Sequence, residues 1–336
     1  MLDTGSMDAA ASEGVGTTAC LRAVATLGAI TFGAVIFAAM SACNKSPAPT
    51  ASAPVAAPPV VASPVTALPV TPKPIRDGVP RIVDSSDRVH IEYHVYGKGS
   101  PVLVLVHGWS CDSNYWNAQV QELKTRYTVV TVDLAGHGAS GRNRTDWSME
   151  RFGDDVVAAV QALHDPKVIL IGHSMGGPVV LQAARKLKEQ TIAVIGVDTL
   201  KSLGLPQPSG TVQLAAMEKN FIGATRDMVD KMFTANADPV LKRRVMDDMS
   251  QGPPEVGIAA IRAMLAMDYT AAVKALSVPI VLINSDLGGA TDAARLRKVR
   301  SNIRVVTLKG LGHFLMMEDP KTFNATLAAE LMRLTP

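Results

Sequence analysis

The stretch KVILIGHSMGGPVVLQAARKL, Lys167 to Leu187, reads as a strand, a turn and a helix in immediate succession. Val168 to Ile171 is a short continuous apolar run, the pattern of a parallel-sheet strand covered on both faces. Gly172, Ser174 and Gly176 then match G-x-S-x-G, in which a sharp strand-to-helix turn strains the backbone of the central residue and lifts its hydroxyl clear of the sheet. The helix, expected from about Met175 to Leu187, has Pro178 in its first turn, where a missing N–H costs little. Its positive dipole end points at Ser174 and favours an oxyanion forming there. A glycine-rich strand-to-helix turn with no chemistry would carry the same residues, so the surroundings of the motif decide.

Working outward, strands and helices alternate from about Val79 to Pro336. RIVDSS and RVHIEYHVYG show partial period-2 alternation and suggest an opening antiparallel pair. PVLVLVHG is a buried strand; helices near Tyr115–Thr125 and Met149–Leu163 lead to YTVVTVDL and VILIG, and the helix after Ser174 leads to TIAVIGVD. Later come PIVLINSD, a helix near Asp292–Val299, IRVVTLKG and a last helix from about Pro320 to Leu334. Such alternation predicts an α/β fold, a mainly parallel sheet flanked by helices, with ligands at the carboxyl ends of the strands. Between Asp198 and Pro279 the alternation is interrupted by apolar residues at spacings of three and four (Leu214, Met217, Phe221; Met228, Met232; Leu241, Val245, Met249; Ile258, Ile261, Leu265). This predicts a small helical cap, about residues 202–275, inserted before the strand that ends at Asp286. Seven of the fifteen methionines fall in it. Their thioethers suit an adaptable apolar wall, or simply pack the cap on the sheet.

The chemistry follows from what a serine needs. A serine hydroxyl is a poor nucleophile near neutral pH, so a neutral imidazole must take its proton and a carboxylate must hold that imidazole in the right tautomer. His313, in KGLGHF just past a strand, is the expected base, with Gly310 and Gly312 allowing a tight loop. Of the other histidines, His90, His94 and His164 are expected in solvent, His137 and His173 as turn braces, and His107 as ordering the loop that follows it. Asp286, immediately after its strand, is the expected acid; Asp198 and Asp292 are the rivals. Two backbone amides should hold the oxyanion, that of Met175 after the nucleophile and that of Trp109 in the loop after PVLVLVHG. Cys111, in HGWSCD, is read as a small buried hydrophobe.

Together HGW (His107–Trp109), DLAGHGAS (Asp133–Ser140), GHSMGG (Gly172–Gly177), INSD (Ile283–Asp286) and GLGHF (Gly310–Phe314), in this order, resemble the α/β-hydrolase superfamily over about residues 79–336. The resemblance implies the α/β-hydrolase fold and a serine mechanism. Serine rather than aspartate at position 174 points away from haloalkane dehalogenase and epoxide hydrolase activity. The chain is accordingly expected to be a serine hydrolase that cleaves carboxylic esters through an acyl-enzyme. Another acyl bond (lactone, amide or C–C) and a non-catalytic binding protein of the same fold are the alternatives.

Ahead of this domain the composition changes. Ala23 to Ala42 is uncharged over about twenty positions and ends in Met40-Ser41-Ala42-Cys43, which resembles a bacterial lipoprotein signal. The resemblance implies cleavage before Cys43, lipid on that cysteine, and a place in the cell envelope, periplasmic or tethered to the outer membrane. An uncleaved membrane anchor is the alternative, since about twenty apolar residues can span a bilayer. Residues 43–78 include the Pro/Ala/Val tract Ser46–Pro74, which cannot bury a core and reads as a spacer. A net charge of +3 from 33 basic and 30 acidic residues gives no reason to expect nucleic acid. Neither a metal nor an organic cofactor is expected, because no ligand spacing or nucleotide fingerprint occurs. The expected partner is a small acyl substrate.

Overall fold

Eight strands form one sheet in the order β1-β2-β4-β3-β5-β6-β7-β8. The protein is represented by a computed structural model that describes residues 78–164, 166–205 and 208–335. The signal segment, Cys43 and the spacer lie outside the described residues. The strands are β1 Val79–Asp84, β2 His90–Tyr96, β3 Val102–Val106, β4 Thr128–Val132, β5 Val168–His173, β6 Thr191–Val197, β7 Ile280–Ser285 and β8 Ile303–Leu308. β1, β2 and β4 pair antiparallel and all other neighbours are parallel. Every residue of β3, β5 and β7 is buried. That is why these strands carry unbroken Val, Ile and Leu runs instead of an alternation: helices cover both of their faces.

After one turn of 3-10 helix at Ser113–Trp116, α1 runs Asn117–Leu123, α2 Met149–Gln161 and α3 Gly176–Leu187. α2 starts where the Ser148 hydroxyl accepts the Arg151 amide, an ordinary N-cap. Five helices then form the insertion between β6 and β7: α4 Pro208–Lys219, α5 Phe221–Asp230, α6 Pro239–Ser250, α7 Pro254–Ala266 and α8 Tyr269–Lys274. Asp238 and Asn220 cap α6 and α5 through their side chains. The apolar spacing in the sequence is what these helices bury: Met217, Phe221, Val245, Met249 and Ile261 all belong to the core. The chain closes with α9 Ala293–Val299, the short α10 Leu315–Glu318 and α11 Pro320–Leu334. Among the described residues, no helix is long and apolar enough to cross a membrane.

Register positions the chemistry. Val106 is level with both Val132 and Gly172, Gly172 with Gly196, and Val197 with Ile283. The loops leaving β3, β4, β5, β6 and β7 therefore begin at one edge of the sheet.

Candidate active site

Ser174 sits between the last residue of β5 and the first turn of α3, with φ +52°. A non-glycine residue rarely adopts this left-handed conformation, which costs on the order of 1–3 kcal/mol. The structure over-determines it. The Ser174 amide donates to Val197 O (2.9 Å), while its carbonyl accepts both the Gly177 amide (2.9 Å) and the Thr199 hydroxyl (2.9 Å). A Cβ at Gly176 would lie 2.5 Å from Val106 O and 2.7 Å from His107 O. Glycine there is the condition for α3 to start this close to β3.

His313 arrives on the loop between β8 and α10. Its amide donates to Met232 O in the cap (2.7 Å), and the Glu318 carboxylate accepts the flanking amides of Gly312 (2.9 Å) and Phe314 (3.2 Å). The imidazole Nδ1 donates to Asp198 Oδ2 at 2.6 Å. Nδ1 being the donor leaves Nε2 as the basic nitrogen of the neutral ring. His173, the neighbour of Ser174, donates from Nε2 to His313 O (3.0 Å). Burial, together with the facing His313, pushes the His173 imidazole down to about 3, so it braces the His313 loop without carrying charge.

The carboxylate at His313 is thus that of Asp198, and the expectation of Asp286 is corrected on geometric grounds. Asp198 follows β6, the strand next to β5, and its own φ of +44° turns the chain sharply there. Asp286 follows β7, one strand further away, and its Oδ1 accepts the Gly310 amide at 2.8 Å. It supports the loop that carries the histidine without touching the ring. Asp292 is an N-cap, accepting the Arg295 amide at the start of α9 (3.0 Å). Burial pushes the Asp198 carboxyl up, but the bond from His313 and the nearby Lys201 ammonium outweigh it and hold the group well below the usual carboxylate range.

Met175 follows Ser174 at the start of α3, and Trp109 stands on the loop after β3. Among the described residues neither main-chain amide donates to a protein acceptor. The Trp109 indole donates to Gly257 O of α7 (2.8 Å) and packs against Phe221, which ties this loop to the cap. His107 bridges the same loop to the end of β4: Nδ1 donates to Gly108 O (2.8 Å) and Nε2 accepts the Leu134 amide (3.1 Å). His137 donates to Ala135 O within its turn (2.9 Å). His94, expected in solvent, is buried and lies parallel to the Tyr96 ring, because β2 is covered on the face that holds it. Cys111 is buried, its thiol donates to Trp109 O (3.3 Å), and burial pushes its pKa well up. It is a poor nucleophile in this setting.

Ser174, His313 and Trp109 line one cavity of about 90 Å³. The opposite wall is cap: Met228, Met232, Met249 and Met264, with Ile261. Four of the seven cap methionines therefore face the serine. Lys201, Glu318 and the structural part of Asp286 have no sequence motif; Lys201 and Asp286 lie in the loops after β6 and β7, and Glu318 ends α10. Among the described residues there is no cluster of His, Cys, Asp or Glu able to hold a metal.

The chain is similar to several known hydrolases. A 3-oxoadipate enol-lactonase of Acinetobacter baylyi is 24% identical over 251 residues, 73% of this chain and 94% of the relative. A bifunctional esterase/perhydrolase of Acinetobacter calcoaceticus is 25% identical over 274 residues, 74% of this chain and 98% of the relative. The solved structure of a thermophilic esterase from Thermogutta terrifontis superposes with a TM-score of 0.68 at 22% identity, covering 77% of this chain and all of the esterase. Residues 103–326 match the model of the alpha/beta hydrolase family, and it is to this family that the chain belongs.

Proposed function

We propose that the protein is a serine hydrolase that cleaves carboxylic esters of short acyl chains. The observation that carries this reading is the 2.6 Å bond that Asp198 accepts from His313, whose ring lines the same cavity as a strained serine. Ser174 Oγ attacks the ester carbonyl as His313 Nε2 takes its proton, and the amides of Trp109 and Met175 take up the oxyanion. The carbon–alkoxide bond then breaks, the alcohol leaves with that proton, and water repeats the sequence on the acyl-enzyme. Asp198 holds the ring and stabilises the imidazolium.

Cavity size supports the short acyl chain. About 90 Å³ is small against the roughly 300–1,000 Å³ of ordinary small-molecule pockets, and its far wall is apolar. The enol-lactonase relative favours a second reading in which the ester is cyclic; the same residues would open it.

A fluorophosphonate probe and a graded ester panel test the proposal. The wild-type chain should label, Ser174→Ala should not, and its turnover should fall on the order of 10⁶-fold. Acetyl and butyryl esters should be cleaved well, and rates should drop steeply by octanoyl. Labelling that survives Ser174→Ala would refute the serine mechanism, and a long-chain optimum would refute the small acyl site.

A further inference from the structure

The loop after β6 turns twice through left-handed backbone, at Asp198 (φ +44°) and Leu200 (φ +55°). This brings Lys201 back over the carboxylate. Its Nζ donates to Asp198 Oδ1 at 2.9 Å, to Ser285 Oγ at 3.0 Å and to Leu287 O at 3.2 Å. Three acceptors use the three protons of the ammonium. Ser285 also donates its amide to Asp198 Oδ1 (2.7 Å), and Arg295 grips the Lys201 carbonyl (2.5 Å). Oδ1 is thereby fixed from the β7 side while Oδ2 is left to the histidine.

We infer that Lys201 is a positioning residue for the acid of this site: it clamps the Asp198 carboxylate against the end of β7 so that Oδ2 stays facing His313. This rests on the serine-hydrolase reading. A carboxylate presented from the end of β6 has to be held facing the imidazole, and Lys201 ties the two strand ends together. The contact is charge-assisted and mostly buried: the Lys201 side chain is 26% exposed, and a hydrogen bond between ionised groups is stronger than a neutral one.

The test compares Lys201→Met, Lys201→Gln and Lys201→Arg with the wild-type chain, all normalised by fluorophosphonate active-site titration. In Lys201→Met, kcat per labelled site on a short-chain ester should fall roughly tenfold with KM little changed. Lys201→Gln keeps a hydrogen bond without the charge and should lose less, and Lys201→Arg, which keeps both, should recover most of the wild-type kcat. A merely structural lysine would lower the titratable fraction and leave kcat per labelled site in place. An unchanged kcat per labelled site in Lys201→Met, or a loss that appears in KM instead, overturns the inference. Failure of the serine-hydrolase reading shows separately, as a wild-type chain that does not label.

Discussion

At the scale of single residues, two aspartates at neighbouring strand ends make opposite predictions. Asp198 accepts the His313 ring N–H, whereas Asp286 accepts a backbone amide of the same loop. Asp198→Asn replaces an acceptor by a group that can donate to Nδ1, which favours the wrong imidazole tautomer; kcat should fall on the order of 10⁴-fold. Asp286→Asn keeps an oxygen for Gly310 and should stay within about tenfold of wild type, the worth of one hydrogen bond. Steady-state kinetics of the two variants decide between them, and equal losses would mean that both carboxylates serve the histidine. The serine and the histidine are legible in the sequence because each is marked by glycines within three residues. The acid is not, since its assignment depends on which loop reaches across the sheet edge. That is decided by the left-handed backbone at Asp198 and by an amide from Gly310, neither of which has a local signature. Lys201 is less legible still, being an ordinary lysine until Leu200 folds it back.

At the scale of elements, the contact that matters most is the start of α3 against β3. Strands β3, β5 and β7 can be read from their apolar runs, and α3 from its proline and glycines, because burial on both faces leaves no polar position to confuse the pattern. His94 shows the limit: a strand with partial alternation does not reveal which face is covered. The cap helices were readable as a group from the spacing of Met, Leu and Ile, yet the wall they make for the serine emerges only in three dimensions. Gly176→Ala tests the α3 contact. Its new Cβ meets two backbone carbonyls, at 2.5 and 2.7 Å, and backbone cannot swing away as a side chain can. The variant should lose about 2 kcal/mol or more of stability and most of its turnover, because the same movement displaces Ser174 and the Met175 amide. Urea denaturation alongside fluorophosphonate labelling measures both, and a fully stable, fully active alanine variant would show that the helix start has room.

At the scale of the whole molecule, the acid side of the stability curve is set by buried neutral histidines. Burial pushes His137 and His173 down from 6.5 to about 3; the facing His107 adds to this for His137 and His313 for His173. Between those limits the unfolded chain binds a proton at each position and the folded chain does not, so stability falls as pH falls and is flat with respect to these two groups above about 6.5. At pH 5 the loss is about 2 kcal/mol per histidine. Carboxylates in an unfolded chain begin to protonate only near 4, so they contribute little to a comparison of pH 7 with pH 5. Below 3.8 Asp198 adds to the loss, since its folded pKa is depressed and its bond to His313 needs the ionised form. Asp155 and Glu318, raised by burial, act in the opposite sense and soften the slope at the acid end. The urea midpoint should therefore drop by about 1 M or more between pH 7 and pH 5, and His137→Gln should remove about half of that drop while leaving the Ser174 site intact. A midpoint that is unchanged or higher at pH 5 would mean that the two rings take up protons without unfolding the domain.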